Sequence, residues 1–393
     1  MKILFLAPCP FFQERGTPIA VREVLVVLAG AGHTIDVLCY HEGEAVEIPG
    51  VTLHRVKPFL PIHGVPPGPS IKKIICDLSM ARDVVKMAQT GDYDLVHAVE
   101  ESAAMARWIR RRFGIPYIYD MDSSMPGQVV DKFPWARGVL APMREGERQL
   151  IAGSSGVVAV CQALADTAQR VALDGGRERP VALLEDPNLA DFSEVDRSAL
   201  KAELGTQRRL VTYVGNLESY QGIGLLLQGF SKAVGQVPDA DLLVVGGHSD
   251  HIALYKGESE ALGIADRVHF TGPMPLDRLG FFLGSSDVLI SSRAQGENTP
   301  MKIYSYMASG TPIVATAIRS HTQVLHTDNA VLAAPEPEAL ADGIVRALTD
   351  PEVAALGAAA KMEADARFNR SVFRRTLLSF YELVAKNIAT AAA

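Results

Sequence analysis

Short apolar runs alternate along the chain with segments in which apolar residues recur at helical spacing. In the first half, the apolar runs lie at residues 2–7, 34–39, 51–56, 95–98, 117–119 and 157–160. Helical spacing occurs between them, at residues 18–31, 70–89, 103–113 and 144–152. Continuous apolar runs are typical of strands buried in a parallel sheet, and the intervening segments are typical of the helices that cover it. The pattern predicts an α/β, Rossmann-like domain with helices on both faces of its sheet.

The same alternation begins again after residue 192. Apolar runs follow at residues 210–214, 242–246, 268–270, 288–291, 313–315 and 331–333, and helical segments at 198–204, 337–348, 351–366 and 371–389. The polar, glycine-containing segment 174–180 marks a linker. We therefore predict an N-terminal Rossmann-like domain (1–175), a second one (176–368) and a C-terminal helix (369–393) that crosses back to the first. Two such domains are expected to face each other across a cleft between the carboxyl edges of their sheets.

Composition narrows the class of protein. The chain has 393 residues, 48% of them hydrophobic and 21% charged, which suits a globular protein of about two domains. The formal net charge of -7 leaves no domain-wide basic excess, and this argues against nucleic acid as a partner. Four cysteines show neither CxxC nor histidine spacing, so they are interpreted as reduced core residues of a cytoplasmic protein.

The N-terminal apolar run is interpreted as a strand rather than a signal peptide, because it is short, breaks at Pro8 and lacks a small-residue cleavage site. No run of about 18 apolar residues occurs, so no transmembrane helix is expected. The helix at 70–89, with Lys72 and Lys73, and the arginines 110–112 could rest on anionic lipid at the inner face of a membrane. They could equally be solvated faces.

Residues 291–321 carry the order of elements expected of a binding site. A buried strand at 287–291 is followed by a polar loop and then by a short helix, with Thr299 as N-cap and Pro300 at the first helical position. The helix is predicted to end near Gly310, before the next buried strand. This order places unpaired backbone N–H groups at the carboxyl edge of a sheet, where a phosphate or a sugar hydroxyl would bind.

Two motifs resemble those of a known family. The sequence GENTPMKIYSYMASGTPIVAT resembles the donor-binding motif of the retaining glycosyltransferases of family 4, and TYVGNLESYQGIGLLLQGF resembles their glycine-containing diphosphate loop. The order of elements fits along nearly the whole chain. The resemblance implies the GT-B fold, a UDP- or GDP-sugar donor, a glycan, lipid or small-molecule acceptor, and no metal or other cofactor.

The donor motif departs from the family at one position. Family members have two glutamates separated by seven residues, the first contacting the donor sugar and the second the ribose. Glu297 occupies the first position and Ser305 the second. A serine hydroxyl carries no charge, so its contact with a ribose is expected to be weaker.

The diphosphate loop departs as well. Asn216 and Gln221 stand where the family has an arginine and a lysine. Losing two cations beside a diphosphate would cost on the order of several kcal/mol of transition-state stabilisation unless others replaced them. Lys302 and Arg293 are the candidates, and Lys302 is preferred because it lies in the first turn of the helix; the alternative is an ordinary surface lysine.

By this resemblance, the catalytic candidates are Glu297, Lys302 and Asp122. The donor-binding candidates are Gly215, Asn216, Tyr220, Gln221, Arg293, Asn298, Thr299, Pro300, Met301 and Ser305. His321 is interpreted as either functional or capping.

Candidates in the N-terminal domain would contact the acceptor or line the cleft: Arg15, Gly16, Thr17, His97 and Asp120. Asp120 and Asp122 form a DxD pair, which binds a metal ion in other glycosyltransferase folds; on this fold it is interpreted as an acceptor-binding pair or an N-cap. Further acidic residues, Glu100, Glu101 and Glu147, could contact the acceptor or be structural.

The favoured hypothesis is a retaining glycosyltransferase that moves a sugar from a nucleotide donor to an acceptor hydroxyl. In the mechanism that the resemblance implies, the acceptor attacks from the face on which the diphosphate departs, and the diphosphate takes its proton. The alternatives are a noncatalytic GT-B scaffold or regulatory protein, which the two departures favour, and a sugar-nucleotide epimerase of the same fold.

Overall fold

The computed structural model describes residues 1–14, 16–66, 68, 70–132, 138–174 and 179–392. The chain forms two compact units. The first comprises Met1–Glu185 together with Phe373–Ala393, and the second comprises Asp186–Val372. The first unit thus extends past the predicted boundary at residue 175, because a further strand is added to its sheet.

A parallel sheet forms the centre of the first unit. Its strands are β1 (Lys2–Ala7), β2 (Thr34–Cys39), β3 (Val51–Arg55), β4 (Leu95–Val99), β5 (Tyr117–Met121), β6 (Gly156–Ala159) and β7 (Val181–Leu183). Their order is β3-β2-β1-β4-β5-β6-β7. The central strands are almost entirely buried and largely apolar, as predicted. Strand β7 was not predicted, since three residues carry too little pattern.

Helices cover this sheet: α1 (Gly16–Gly30), α2 (Ile71–Thr90), α3 (Ser102–Phe113), α4 (Met125–Lys132), α5 (Leu140–Gly153) and α6 (Gln162–Asp174). Helix α2 begins where the sequence signals it. The side chain of Ser70 caps it by accepting a hydrogen bond from the Lys73 backbone N–H at 3.1 Å. Helix α3 ends at Gly114, which adopts the left-handed conformation typical of a C-cap.

A second parallel sheet forms the centre of the second unit. Its strands are β8 (Arg209–Val214), β9 (Ala240–Val245), β10 (Val268–Gly272), β11 (Val288–Ser291), β12 (Ile313–Thr316) and β13 (Val331–Ala333), in the order β10-β9-β8-β11-β12-β13. The helices are α7 (Arg197–Leu204), α8 (Ile223–Ala233), α9 (Ser249–Ala261), α10 (Leu279–Ser285), α11 (Met301–Ser309), α12 (Arg319–Thr322), α13 (Pro337–Thr349) and α14 (Val353–Arg367). The prediction of two parallel α/β sheets is confirmed.

After the second unit, helix α15 (Arg370–Ala392) rejoins the first unit from Phe373 onward. It packs on β6 at Gly156, where a Cβ atom would lie 2.8 Å from both Phe380 Cζ and a methyl of Val384. Tyr381 of the same helix is buried. No helix in the described parts of the chain is both long and apolar enough to span a membrane.

Candidate functional site

The second sheet reverses its strand order at β8, which pairs with β9 on one side and β11 on the other. Ligands of open α/β sheets bind at the carboxyl ends of the strands beside such a reversal. The loops that follow β8 and β11 touch there. Gly222 has a φ of 71°, and a Cβ atom at this position would collide with the Ser292 carbonyl oxygen. Glycine is therefore required for the two loops to pack together.

Lys302 lies in the first turn of α11 and points toward the loop after β8. Its ammonium donates to Oε1 of Gln221 at 3.1 Å and lies 3.8 Å from the centre of the Tyr213 ring. A Cβ atom on Gly215 would be 3.3 Å from this ammonium, so a glycine keeps the space beside it open. Burial, with a smaller contribution from the charge of Arg293, lowers the pKa of Lys302 well below its usual range.

Arg293, the other candidate cation, is held by its own loop. Its guanidinium donates to the carbonyl oxygens of Gln295 and Asn298 at 2.7 and 3.0 Å, and to Oδ1 of Asn298 at 3.1 Å. A Cβ atom on Gly296 would collide with this guanidinium. Its outer face covers the ring of Tyr220 at 5.3 Å. Arg293 thus shapes the loop after β11 and covers Tyr220 of the loop after β8, whereas the ammonium of Lys302 points to Gly215 and Gln221 of that loop.

The start of α11 differs by one residue from the prediction. Pro300 has a ψ of 132° and is the N-cap, so the helix begins at Met301. The prediction that Thr299 caps the helix, with Pro300 inside it, is wrong because the backbone of Pro300 is still extended. Thr299 is buried, and its hydroxyl lies 3.4 Å from Nε2 of Gln323.

Glu297 and two side chains of the loop after β8 remain open to solvent. Glu297 is exposed, and its carbonyl oxygen accepts a hydrogen bond from Nε2 of Gln323 at 2.7 Å, which fixes the backbone beneath the carboxylate. Asn216 and Tyr220 are also exposed, with Nδ2 of Asn216 3.5 Å from the Tyr220 hydroxyl. These groups lie on the accessible side of the two loops.

Ser305 is not on that side. It is 3% exposed, and its hydroxyl accepts a hydrogen bond from the Leu189 backbone N–H at 3.3 Å. The expectation that Ser305 contacts a ribose is therefore corrected: in this structure the hydroxyl ties α11 to the segment around residue 189. The helical position was visible in the sequence, but the backbone partner, 116 residues away, was not.

His321 joins the ends of β11 and β12. Its Nδ1 lies 2.8 Å from the Thr316 carbonyl oxygen and must donate to it, so Nε2 accepts from the Ser291 hydroxyl at 2.9 Å. Burial lowers the pKa of His321 to about 4, although the bond to Thr316 opposes this, and the charge of Lys302 lowers it further. The ring is neutral and structural, which resolves the alternatives left open by the sequence.

In the first unit, His97 is a core residue. It is 0% exposed, its ring is stacked on Phe5 at 4.3 Å, and its nitrogens lie 2.7 Å from the Tyr381 hydroxyl and 2.9 Å from Oδ2 of Asp120. The expectation that His97 lines an acceptor site is corrected, because its burial leaves no surface for a ligand. Oδ1 of Asp120 is buried and has no hydrogen-bond partner among the described residues.

The other acceptor candidates lie at the carboxyl edge of the first sheet or just beyond it. Asp122 follows β5 and is half-buried. Gly16 is exposed at the start of α1, beside the half-buried Thr17. Arg15 lies outside the described residues.

A charged cluster that the sequence did not reveal lies at the same edge. Lys73 lies 2.6 Å from Oε1 of Glu101 and 3.6 Å from Oε2 of Glu100, and the Tyr40 hydroxyl donates to Oδ1 of Asp77 at 2.5 Å. Burial, and then the charge of Glu100, raise the pKa of Glu101 to about 8. Burial likewise raises the pKa of Asp77 to about 6. Lys73 is therefore not a surface lysine, whereas its neighbour Lys72 is exposed.

Two family models match the chain. Residues 15–183 match the model described as Glycosyl transferase 4-like domain, and residues 208–350 match the one described as Glycosyl transferases group 1. The chain belongs to the family 4 glycosyltransferases. The two matches fall on the two sheets, one on each.

Curated relatives of this glycosyltransferase agree with that assignment. It is 25% identical over 391 residues to the phosphatidyl-myo-inositol mannosyltransferase of Mycolicibacterium smegmatis, covering 98% of this chain and 94% of that protein. It is 28% identical over 241 residues to the D-inositol 3-phosphate glycosyltransferase of Rhodococcus jostii, covering 58% of this chain and 52% of that protein.

Solved structures of similar fold cover the whole glycosyltransferase. The sucrose-phosphate synthase of Thermosynechococcus elongatus superposes with a TM-score of 0.79 at 20% identity, covering 100% of both chains. HepE of Anabaena, solved with UDP-glucose, gives a TM-score of 0.74 at 19% identity and covers 97% of this chain and 99% of its own. These likenesses show the two-domain GT-B fold.

Proposed function

We propose that this glycosyltransferase moves a hexosyl group from a nucleotide sugar to an acceptor hydroxyl with retention of anomeric configuration. The observation that carries the proposal is the position of Lys302. Its ammonium lies beside Gly215 and Gln221, at the reversal point of the second sheet, and no carboxylate of the described residues pairs with it. A half-buried cation in a glycine-lined turn suits the phosphates of a nucleotide sugar.

In this proposal, Lys302 supplies the charge that the loop after β8 lacks. Gln221 orients the ammonium, and the first backbone N–H groups of α11, from Met301 onward, bind the phosphate oxygens. Charge builds up on the leaving diphosphate in the transition state, so a fixed cation there lowers the barrier. We assign no step to a metal ion or other cofactor.

Glu297 orients the donor sugar, with Asn298 beside it in the loop. Thr299 and Pro300 set the path of the backbone, while Asn216 and Tyr220 cover the outer side of the donor. On the acceptor side, Asp122 binds hydroxyl groups, and Gly16 and Thr17 at the start of α1 are further acceptor contacts, whereas the buried Asp120 serves to hold His97. The acceptor attacks from the face on which the diphosphate leaves, and a phosphate oxygen takes its proton.

The nucleobase of the donor is proposed from the relatives. HepE was solved with UDP-glucose, and the mycolicibacterial relative is named a mannosyltransferase. Both UDP- and GDP-sugars are therefore proposed as donors to be tested.

We further propose that the acceptor is lipid-borne and that the protein works at the cytoplasmic face of a membrane. The mycolicibacterial relative is named for a phosphatidylinositol acceptor. On this chain, Ile71, Ile74 and Leu78 form an exposed apolar stripe along α2, next to the exposed Lys72. An apolar stripe beside a cation suits the surface of an anionic bilayer.

The test is a panel of UDP- and GDP-sugars offered to the purified protein. The expected result is thermal stabilisation by one donor and slow hydrolysis of that donor, with the released sugar first appearing in the same anomeric form, as followed by NMR. A folded protein that no nucleotide sugar stabilises would overturn the proposal in favour of a noncatalytic GT-B protein. An inverted product would overturn retention alone.

A further inference from the structure

Two histidines and a glutamate meet in the first unit, and none of the three is among the residues assigned to transfer. One ligand atom from each of His41, Glu42 and His63 lies within 4.8 Å of the other two. His41 and Glu42 directly follow β2, and His63 belongs to the segment that leads into α2. We propose that these three side chains bind a divalent transition-metal ion, with Zn²⁺ the best match.

The donor set determines the class of metal. Two imidazoles and one carboxylate are a usual ligand set for zinc, with a water molecule at the fourth position. Imidazole nitrogens favour Zn²⁺, Co²⁺ or Ni²⁺, whereas Mg²⁺ and Ca²⁺ prefer sites built entirely of oxygen. The cluster is also separate from Asp120 and Asp122, the pair for which metal binding was considered from the sequence.

The ring of His41 is anchored through one nitrogen. Its Nε2 lies 4.0 Å from Oε1 of Glu42 and 2.7 Å from the Ile62 carbonyl oxygen, which can only accept, so this nitrogen carries the proton in the metal-free chain. Nδ1 is buried and has no hydrogen-bond partner among the described residues. Metal binding through Nδ1 would keep the bond to Ile62, the arrangement usual for ligand histidines, and requires the ring to turn Nδ1 toward Glu42.

Glu42 is likewise fixed. Its two oxygens accept from the backbone N–H groups of Gly64 and Val65, at 2.6 and 3.0 Å. A carboxylate has about four lone-pair positions, so two N–H donors leave room for a metal.

The backbone around the ligands is already in place. Arg55 donates to the carbonyl oxygens of Glu42 and Glu44, both at 2.7 Å, and Lys72 donates to that of His63 at 2.7 Å. Zinc bonds of about 2.1 Å require ligand atoms about 3.4 Å apart. Rotation of the exposed His63 side chain can close the remaining gap. The metal would then clamp the segment after β2 to the segment before α2.

The experiment is a Co²⁺ titration of the untagged, chelator-treated full chain, followed by its visible absorption and by displacement with Zn²⁺. We expect one equivalent to bind with an intense visible band typical of four or five ligands, and no displacement by Mg²⁺. His63→Ala and Glu42→Gln should each weaken binding at least about tenfold, the effect of losing one ligand contact worth about 1.4 kcal/mol.

The matched control is His326→Ala, which removes another exposed histidine, one that lies 4.0 Å from Glu363. This variant should bind Co²⁺ as the original chain does. Equal affinity in His63→Ala and the original chain would overturn the proposal, as would displacement by Mg²⁺ or an equal loss in His326→Ala. Circular dichroism of each variant establishes that it is folded. Because the readout is metal binding, the result is independent of whether the chain transfers a sugar.

Discussion

The ammonium of Lys302 lies 3.1 Å from the side-chain oxygen of Gln221, so a cation on one loop faces a neutral amide on the other. In the family motif, the position of Gln221 is expected to hold a lysine. Two lysines could not share this half-buried space without repelling each other. In this chain the cation beside Gln221 comes from the first turn of α11.

Replacing Lys302 by methionine should therefore abolish most transfer without unfolding the chain. Methionine keeps the length of the side chain but not its charge, and losing one such donor to a transition state costs about 10²–10³ in rate. The measurement is the rate of donor turnover at saturation. Lys232→Met, at an exposed lysine paired with Glu338, is the control and should leave the rate unchanged. Equal donor turnover in Lys302→Met and Lys232→Met would show that Lys302 does not take part in the mechanism.

Gln221→Glu should weaken donor binding although it preserves the size of the side chain. The new carboxylate would pair with Lys302 at the present distance of 3.1 Å and compete with the phosphates for its charge. We expect the dissociation constant for the donor to rise about tenfold or more, which corresponds to about 1.4 kcal/mol. Gln228→Glu, an exposed position on α8, makes the same charge change and should have little effect.

Donor binding should also take up a proton. Burial holds the pKa of Lys302 well below its usual range, and a phosphate anion placed beside it would raise that pKa again. Calorimetric titrations in buffers of different ionisation enthalpy measure the protons taken up. The uptake should be larger as pH rises above the pKa of the unliganded lysine and should vanish in Lys302→Met. Uptake that persists in this variant would have to come from another group.

Glu101 should make the chain less stable as pH rises. Its pKa is raised from 4.5 to about 8 in the folded chain, so between these values the folded state binds more protons than the unfolded state. The free energy of unfolding should therefore fall as pH increases through this window. Glu101→Gln should remove part of that fall, leaving the part due to Asp77, as measured by urea denaturation from about pH 5 to about pH 9. If the free energy of unfolding falls equally with pH in the original chain and in Glu101→Gln, the prediction is wrong.

Replacing the buried residue Asp241 should be among the more destabilising substitutions in this chain. Its buried carboxylate accepts from Thr206 at 2.6 Å, Arg267 at 2.9 Å and His269 at 3.1 Å. Asp241→Ala should lower the free energy of unfolding by about 3–5 kcal/mol, because it leaves buried donors unpaired.

The comparison for this prediction is Asp239→Ala, two residues earlier on the chain. Asp239 also pairs with an arginine, Arg209, but its side chain is 61% exposed. Its loss should cost less than about 1 kcal/mol. Guanidinium denaturation of both variants provides the measurement, and similar losses at the two positions would show that burial is not what distinguishes them.

The strands were predictable because a buried parallel strand needs an apolar residue at nearly every position, a pattern that few other structures share. The donor loops were predictable through glycine, since the contact between Gly222 and Ser292 tolerates no side chain. Burial of single polar residues was not predictable. Lys72 and Lys73 are adjacent in sequence, yet one is exposed and the other lies among carboxylates, because neighbours on a helix point about 100° apart.

His97 and Ser305 were misassigned for a related reason. Their partners, Tyr381 and the Leu189 backbone, lie 284 and 116 residues away along the chain, beyond the reach of any local pattern. Sequence spacing identifies a residue at the end of a strand or within a helix. It does not show whether its polar atoms are already used by the fold.

The return of helix α15 to the first unit determines which of the two units can complete its fold first during synthesis. The second unit is one continuous stretch of chain, Asp186–Val372, whereas the first needs residues from both sides of it. During translation the second unit can finish folding while the first still lacks the helix that covers Gly156 and the hydroxyl that pairs with His97. The part of the chain made first is therefore completed last, and until then the part of its sheet around Gly156 lacks the apolar side chains of α15 that cover it.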